Sequence, residues 1–162
     1  MNQNFDDQSR VWIYTCNRAF TDTESRDINN ALKLFCKEWT AHGSTLLAKG
    51  EIFYNRFIVL MVDETHAGAS GCSIDKSVHF MQVIESEYQV QLFNRLLVSW
   101  KAGNNINVTA LNDLDKLIEN GEITEDTLVF NNTITLKKHF DQRWIIPLKE
   151  SWLASRVSLV KG

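Results

Sequence analysis

The segment Phe57-Ile-Val-Leu-Met-Val-Asp63 carries apolar side chains at both odd and even positions. Because successive side chains of a strand point to opposite faces of a sheet, this pattern predicts a central strand that is covered on both faces. The preceding residues, Leu46 to Tyr54, also predict a strand. Asn55-Arg56 between the two is a candidate tight turn, because asparagine tolerates left-handed backbone geometry. The two strands therefore form a predicted hairpin.

Before this hairpin, the sequence predicts a strand followed by an amphipathic helix. Val11 to Tyr14 is rich in β-branched and aromatic residues, which favour a strand. Thr21 and Glu24 have the spacing of a capping box, in which each side chain caps a backbone N–H of the other residue. The apolar residues that follow at helical spacing are Ile28, Leu32, Phe35 and Trp39. They form one stripe on a helix, and Gly43 is the candidate stop.

After the hairpin, the pattern predicts a second helix and another strand. We expect the helix from about Ile74 to Tyr88 and the strand from Leu92 to Trp100. The order is then strand–helix–strand–strand–helix–strand, which is that of the ferredoxin-like split βαβ unit. We therefore predict an α+β fold with a ferredoxin-like βαββαβ core, in which both helices lie on one face of an antiparallel sheet.

The C-terminal residues are predicted to form an α/β extension that covers or extends this sheet. Its predicted elements are a strand Ile106–Ala110, a helix Asp113–Glu119 with Asn112 as cap and Gly121 as stop, a strand Leu128–Phe130, a helix capped by Thr135 and a short helix opened by Pro147. We predict a flexible N-terminus over residues 1–10 and a single α+β domain over residues 11–162.

Composition and charge exclude several classes of protein. The 162 residues are 44% hydrophobic and 23% charged, as in soluble globular domains, which excludes a disordered or collagen-like chain. The net charge of −3 argues against an electrostatic nucleic-acid binder. The longest aliphatic run is too short to cross a bilayer, and residues 1–10 lack the apolar core of a signal peptide.

The cysteines are widely spaced and odd in number: Cys16, Cys36 and Cys72. We therefore expect a cytoplasmic protein with free thiols and with no nucleic-acid or membrane partner.

The segment from Gly68 to Ser77 is the main candidate for a functional site. Four small residues, Gly68-Ala-Ser-Gly71, precede the second predicted helix, so that backbone N–H groups and the positive end of the helix dipole face one point. We expect this loop to bind a small anionic ligand such as a phosphate or a carboxylate. The predicted ligand-binding residues are Gly68, Ser70, Gly71, Ser73, Asp75, Lys76 and Ser77. A tight turn, close helix–strand packing and helix capping explain the same residues without a ligand.

The loop does not match the phosphate-binding motif of nucleotide hydrolases. That motif has four residues between two glycines, followed by lysine and then serine or threonine. Here Gly71 is followed by Cys72-Ser-Ile-Asp75 and then Lys76-Ser77, so the second glycine is missing. Asp75 stands directly before the lysine, where its charge repels a phosphate. Nucleotide hydrolysis is therefore disfavoured.

The segment His66-Ala-Gly-Ala-Ser-Gly-Cys-Ser-Ile-Asp-Lys-Ser-Val-His-Phe80 resembles the signature of a small, uncharacterised bacterial family whose members have about this length. Three further segments are similar to that family: Trp39-Thr-Ala-His-Gly43, Tyr54-Asn-Arg-Phe57 and Val129-Phe-Asn-Asn132. The resemblance covers most of the chain. Members are often labelled "ABC transporter ATPase", although the segment lacks a Walker A motif. The resemblance implies no established reaction.

Cys72 is the candidate nucleophile if the protein is an enzyme. A cysteine at a helix N-terminus feels the helix dipole, which favours the thiolate. His79 or His66 is the candidate base, and Lys76 and the loop amides would stabilise negative charge. The competing interpretation is that Cys72 fills a small buried space, as free cysteine often does. The histidine spacings predict no metal site.

Two functional hypotheses follow from these residues. In the first, the domain binds a small anion at the Gly68–Ser77 loop, with or without thiol chemistry at Cys72. In the second, it is a non-enzymatic interaction or homodimerisation module in which that loop is purely structural. Whether the protein is an enzyme, and which cofactor it would use, does not follow from the sequence. The first hypothesis requires a loop that is open to water and has unpartnered N–H groups.

Overall fold

The computed structural model describes residues 5–155. Within this range the strands are β1 Arg10–Thr15, β2 Thr40–Ala41, β3 Ser44–Thr45, β4 Leu47–Phe53, β5 Phe57–Asp63, β6 Leu97–Ala102, β7 Asn105–Ala110, β8 Leu128–Phe130 and β9 Ile145–Pro147. The α-helices are α1 Asp22–Glu38, α2 Gly71–Tyr88, α3 Leu114–Glu119 and α4 Lys137–Arg143. Short 3-10 turns cover Leu111–Asp113, Leu148–Glu150 and Trp152–Ser155. The α+β class predicted from the sequence is confirmed.

None of the helices between residues 5 and 155 combines the length and the apolarity that crossing a bilayer requires.

Strand β5 is the centre of a three-stranded antiparallel sheet with the order β1–β5–β4. All seven of its residues are buried, as the apolar pattern predicted. Its even-numbered apolar residues pack against α1 and α2. Its odd-numbered apolar residues pack against residues 130–144. The prediction of a central strand covered on both faces is therefore confirmed.

The turn between β4 and β5 lies one residue earlier than predicted. Tyr54 and Asn55 have positive φ angles of 56° and 53°, and the Arg56 N–H donates to the Phe53 carbonyl at 3.0 Å. Two successive positive φ angles match the twist of a hairpin, so the turn centres on this pair. The Ser25 hydroxyl donates to the Asn55 side-chain oxygen at 2.9 Å, which ties the turn to α1.

Helix α1 begins with the predicted capping box. The Glu24 N–H donates to Thr21 Oγ1 at 3.1 Å, and the Thr21 N–H donates to a Glu24 carboxylate oxygen at 2.9 Å. The helix ends before Trp39, a buried residue whose indole N–H donates to the Ser73 carbonyl of α2 at 2.8 Å. Gly43 is not the helix stop. It lies in the turn between β2 and β3 with a φ of 80°, a geometry that glycine adopts at little cost.

Helix α2 begins at Gly71, three residues before the predicted start near Ile74. The physical cause is a capping box between Ser70 and Ser73, which starts the helix inside the small-residue run. At the other end, Gln89 adopts a left-handed conformation with a φ of 54° and closes the helix.

The residues after α2 do not form the predicted fourth strand beside β1. The chain is irregular from Gln91 to Leu96, and β6 belongs to a second antiparallel sheet with the order β7–β6–β8–β9. The ferredoxin-like strand order is therefore not confirmed. Strands β6 and β7 instead pair along six residues of a hairpin whose turn contains Gly103, with a φ of 62°. Pairing with a neighbour in sequence closes a shorter loop than pairing with β1 does, and so costs less chain entropy.

The C-terminal residues cover the second face of the first sheet, which is one of the two predicted arrangements. The residues buried against the odd-numbered side chains of β5 include Phe130, Ile134, Phe140 and Trp144. Thr135 is not the cap of α4. The N-cap residue is Leu136, which makes no side-chain cap hydrogen bond, and the Thr135 carbonyl instead accepts the Val11 N–H at 2.9 Å.

Two other C-terminal predictions also differ from the structure. Pro147 is the last residue of β9 and precedes a 3-10 turn, instead of opening a helix. The residue before α3 is Asp113 and no side chain caps this helix, so Asn112 is not the cap. Gly121 follows the C-cap residue with a φ of 76°, as expected for a helix stop.

Some residues of the segment that is predicted to be flexible contact the rest of the fold, although Asp6, Asp7 and Gln8 are exposed. Phe5 is buried in the cluster beneath β5. The Asp6 N–H donates to the buried Asp63 carboxylate at 3.0 Å. Hydrogen bonds from Asp6 and then from Thr65 hold the pKa of Asp63 below its ordinary value. Residues 1–4 and 156–162 of the predicted segments lie outside the described residues.

The capping box predicts a specific dependence of stability on pH. Two hydrogen bonds of 2.9 Å from Arg18, followed by the Thr21 N–H, lower the pKa of Glu24 from about 4.5 to about 2. A carboxyl group whose pKa is lower in the folded than in the unfolded state stabilises the fold at pH values above its unfolded-state pKa. This stabilisation is lost as the pH falls through the folded-state pKa. We expect Glu24→Gln to reduce the free energy of unfolding by about 1 kcal/mol at neutral pH. Urea denaturation should show this difference shrinking as the pH falls from about 4.5 towards about 2.

The control for this prediction is Glu38→Gln, which alters an exposed carboxylate at the other end of α1. Its effect on the free energy of unfolding at neutral pH should be smaller than that of Glu24→Gln. A Glu24→Gln effect that is constant across that range would contradict the role given to the charged hydrogen bonds.

Candidate functional site

The predicted loop is partly occupied by its own side chains. The Ser70 N–H donates to Ser73 Oγ at 2.7 Å, and the Ser73 N–H donates to Ser70 Oγ at 3.2 Å. The Ser73 hydroxyl itself donates to the Ser70 carbonyl at 2.8 Å, and Ser73 is buried. The two serines and their backbone N–H groups therefore already have partners within the capping box.

The carboxylate of Glu64 lies in the bend of the loop. The Ala69 N–H donates to Glu64 Oε2 at 2.8 Å. A Cβ atom added to Gly68 would lie 2.9 Å from the same oxygen, so a larger residue here would displace the end of the Glu64 side chain. On its other side the carboxylate lies 3.7 Å from Arg10 Nε. The anion that this bend holds is thus a side chain of the protein itself.

The remaining predicted ligand-binding residues are spread around α2. The Ser77 hydroxyl is buried and donates to the Ile74 carbonyl at 2.6 Å. Gly71, Asp75 and Lys76 are exposed, and nothing lies within 4 Å of the position a Gly71 Cβ would take. The structure therefore does not bring these residues together around one point.

Cys72, His66 and His79 are all exposed. At roughly 100° per helical residue, Cys72, Lys76 and His79 share one stripe of α2. His79 lies seven residues after Cys72, or about 10 Å along the helix axis, which exceeds hydrogen-bonding distance. The charge of His66 acts on Asp63, whose pKa it helps to lower. Among the described residues, no hydrogen bond joins Cys72 to either histidine.

No group of three or more His, Cys, Asp or Glu side chains suited to holding a metal ion is present between residues 5 and 155.

A cavity lies elsewhere, along the outer edge of β1. We call it the strand-edge groove; its volume is about 580 Å³, within the range of ligand-binding clefts. It is bounded by β1, α2, residues 92–98, residues 130–135 and the last 3-10 turn. Residues lining it include Trp12, Ile13, Tyr14, Ile74, Val78, Phe93, Arg95, Leu97, Asn132, Ile134 and Trp152. Most of these side chains are apolar or aromatic.

Within residues 5–155, the outer edge of β1 is paired at one end. The Val11 N–H donates to the Thr135 carbonyl, and the Lys137 N–H donates to the Ser9 carbonyl, both at 2.9 Å. Backbone N–H groups alternate along a strand, so those of Ile13 and Thr15 point to the same edge as that of Val11. Beyond Val11 these groups meet no backbone partner within residues 5–155. The unpaired edge faces the strand-edge groove.

The polar side chains of the groove have distinct environments. The Asn132 amide donates to Thr15 Oγ1 at 2.9 Å, and its oxygen accepts the Trp144 indole N–H at 2.8 Å. Burial raises the pKa of the Tyr14 phenol, an effect that Ser77 and the charge of Arg95 partly offset. Arg95 is exposed and is the one charged side chain among the described residues that line the groove.

Sequence reasoning did not identify the groove as a site. Its sides come from five separate parts of the chain, so no local motif reports it. Two signals were present: the aromatic residues of β1, and Asn132 directly after a predicted strand. Neither signal indicated which edge of β1 is left unpaired.

Comparisons of the chain with protein families, with curated proteins and with solved structures find no significant match.

The three cysteines provide a direct test of the loop geometry. We expect iodoacetamide to alkylate native Cys72 well before Cys16 and Cys36, which are buried. Burial raises the pKa of Cys16 and raises that of Cys36 to about 12, which further disfavours their reactive thiolates. Peptide mass spectrometry after short reaction times measures the order of labelling.

The control is the urea-unfolded chain, in which all three cysteines should react at similar rates. Early labelling of Cys16 or Cys36, or a Cys72 that reacts only after unfolding, would contradict the described burial.

Proposed function

We propose that the protein is a non-enzymatic interaction module that binds an extended peptide segment in the strand-edge groove. The observation that supports this proposal is the unpaired edge of β1 facing a cavity of about 580 Å³. In this proposal the Gly68–Ser77 loop has a structural role, as in the second hypothesis from the sequence.

An extended peptide satisfies the backbone groups that the edge leaves open. A strand edge offers a row of N–H and C=O groups and is therefore a template for a further strand. The groups at Ile13 and Thr15 suit this mode of binding, in which backbone hydrogen bonds supply affinity and side-chain pockets supply specificity.

The two sides of the groove suit the alternating side chains of a strand. Ile74 and Val78 of α2 line one side, whereas Leu97 and Trp152 line the side formed by the second sheet and the last 3-10 turn. Because the side chains of a strand alternate between opposite faces, successive residues of a bound peptide would contact each side in turn. We therefore propose a partner segment with apolar residues at both odd-numbered and even-numbered positions.

The charge of the groove specifies the partner further. Arg95 is the single charged side chain lining the described groove, and no carboxylate lines it. A partner segment that carries one acidic residue is complementary to this charge. The chain's own residues 156–162 contain Arg156 and Lys161 and no acidic side chain, so charge favours a segment of another protein.

We also propose that a bound peptide completes a ferredoxin-like strand order. The described strands β1, β5 and β4 supply three of its four positions, and the fourth strand would lie beside β1. A bound peptide would take that fourth position.

We also propose a cytoplasmic location, supported by the free state of all three cysteines.

Filling the groove should abolish peptide binding. We expect Val78→Trp to weaken binding at least roughly tenfold, because the indole occupies the space beside β1. The probe is an array of fluorescein-labelled eight-residue peptides that carry Val at both odd and even positions and contain one Glu, and anisotropy measures binding. Val83→Trp is the matched control, because Val83 is 45% exposed on the same helix.

Hydrogen exchange distinguishes the mode of binding. A peptide that adds to the sheet should protect the Ile13 and Thr15 amides, whereas a compound that only fills the cavity should not. The proposal is overturned if no peptide binds, if Val78→Trp binds as wild type does, or if size measurement shows a second copy of the chain occupying the groove.

Arg95 should control the preference for an acidic peptide. We expect the wild-type protein to bind the Glu-containing peptide more tightly than its Gln counterpart, and Arg95→Gln to remove this difference. The preference should also weaken as salt is added. Equal affinity of wild type for the two peptides would reject the charge assignment and leave strand addition intact.

A further inference from the structure

A second cleft lies between the β4–β5 turn and the second sheet. We call it the Arg56 cleft; its volume is about 510 Å³. Residues that line it include Arg18, Arg56, Ile106, Asn107, Thr109 and Leu117. It is separate from the strand-edge groove and shares no lining residue with it.

Arg56 supplies a positive charge that forms no ion pair with a carboxylate of the described residues. Its guanidinium is half-buried, and its one hydrogen bond within residues 5–155 is from Nη1 to the Cys16 carbonyl at 3.3 Å. No described carboxylate oxygen lies within 4.0 Å of it, although Glu122 lines the same cleft. Guanidinium has five N–H donors, and within residues 5–155 one of them has a protein partner.

The neighbouring Arg18 does not add a second uncompensated charge. Its two terminal nitrogens each donate to a carboxylate oxygen of Glu24 at 2.9 Å. Nη2 also donates to the Tyr88 carbonyl at 2.8 Å. Among the described residues that line the cleft, Arg56 is therefore the one cation without a carboxylate partner. The charge of Glu122 in the same cleft repels a doubly charged phosphate more strongly than a singly charged anion.

We infer that the Arg56 cleft binds a small organic monocarboxylate. A carboxylate accepts two parallel, charge-assisted hydrogen bonds from a guanidinium, and such pairs are stronger than hydrogen bonds between neutral groups. Ile106 and Leu117 line the cleft and provide an apolar surface for the body of such a molecule. Because the observations are independent of β1, this inference stands or falls separately from peptide binding.

Benzoate and its neutral analogue benzamide test the inference on the unmodified protein. We expect benzoate, and not benzamide, to bind wild type in a calorimetric titration and to shift the Arg56 Nε–Hε signal in an NMR spectrum. Arg56→Gln should weaken benzoate binding at least roughly tenfold, since it removes the charged fork. Arg26→Gln, which alters an exposed arginine of α1 outside the cleft, should bind benzoate as wild type does.

A conservative variant guards against loss of folding. Arg56→Lys keeps the charge and loses the planar fork, so its affinity should lie between those of wild type and Arg56→Gln. The inference is overturned if wild type does not bind benzoate or if benzamide binds equally well. It is also overturned if the NMR signals that benzoate shifts belong to residues outside the Arg56 cleft.

Discussion

The requirement to bury both faces of β5 shapes the rest of the structure. Its seven residues are all buried, so the sheet needs apolar cover on each side. Helices α1 and α2 cover one face, and residues 130–144 cover the other. Because residues 130–144 come many residues after β5 in the chain, the C-terminal region must return across the first sheet. That return places Thr135 beside Val11 and gives the edge of β1 its short paired end.

The open part of that edge follows from a competition between pairings. The segment after α2 comes back alongside β1, where the Asn17 N–H donates to the Gln91 carbonyl at 3.2 Å and Phe93 packs on Tyr14. The chain then leaves β1 to form the local β6–β7 hairpin. The ordering of a hairpin costs less entropy than a distant pairing. The strand-edge groove is the space that this departure leaves between α2 and the second sheet.

Local features of the fold were predictable because each depends on a few neighbouring residues. The capping box of Thr21 and Glu24 and the double-sided apolar pattern of β5 are examples. Gly43, Thr135 and Pro147 were misassigned because turn and cap residues fit several local structures, and tertiary hydrogen bonds decide between them. For the site, the sequence indicated the exposed cysteine as one of two interpretations. It did not indicate Glu64 as the anion in the loop, because that contact depends on the path of the bend.

The small-residue loop and the strand-edge groove are connected through side chains of β1. Gly68 leaves room for the Glu64 carboxylate, which lies close to Arg10, and the Arg10 guanidinium lies 4.7 Å from the ring centre of Trp12. The early start of α2 brings its first turns, with Ile74, against the same strand. The residues that resemble an anion site therefore position the helix that forms one side of the groove. Packing and helix capping account for the contacts of this bend, and the space beside β1 is where we propose that a peptide binds.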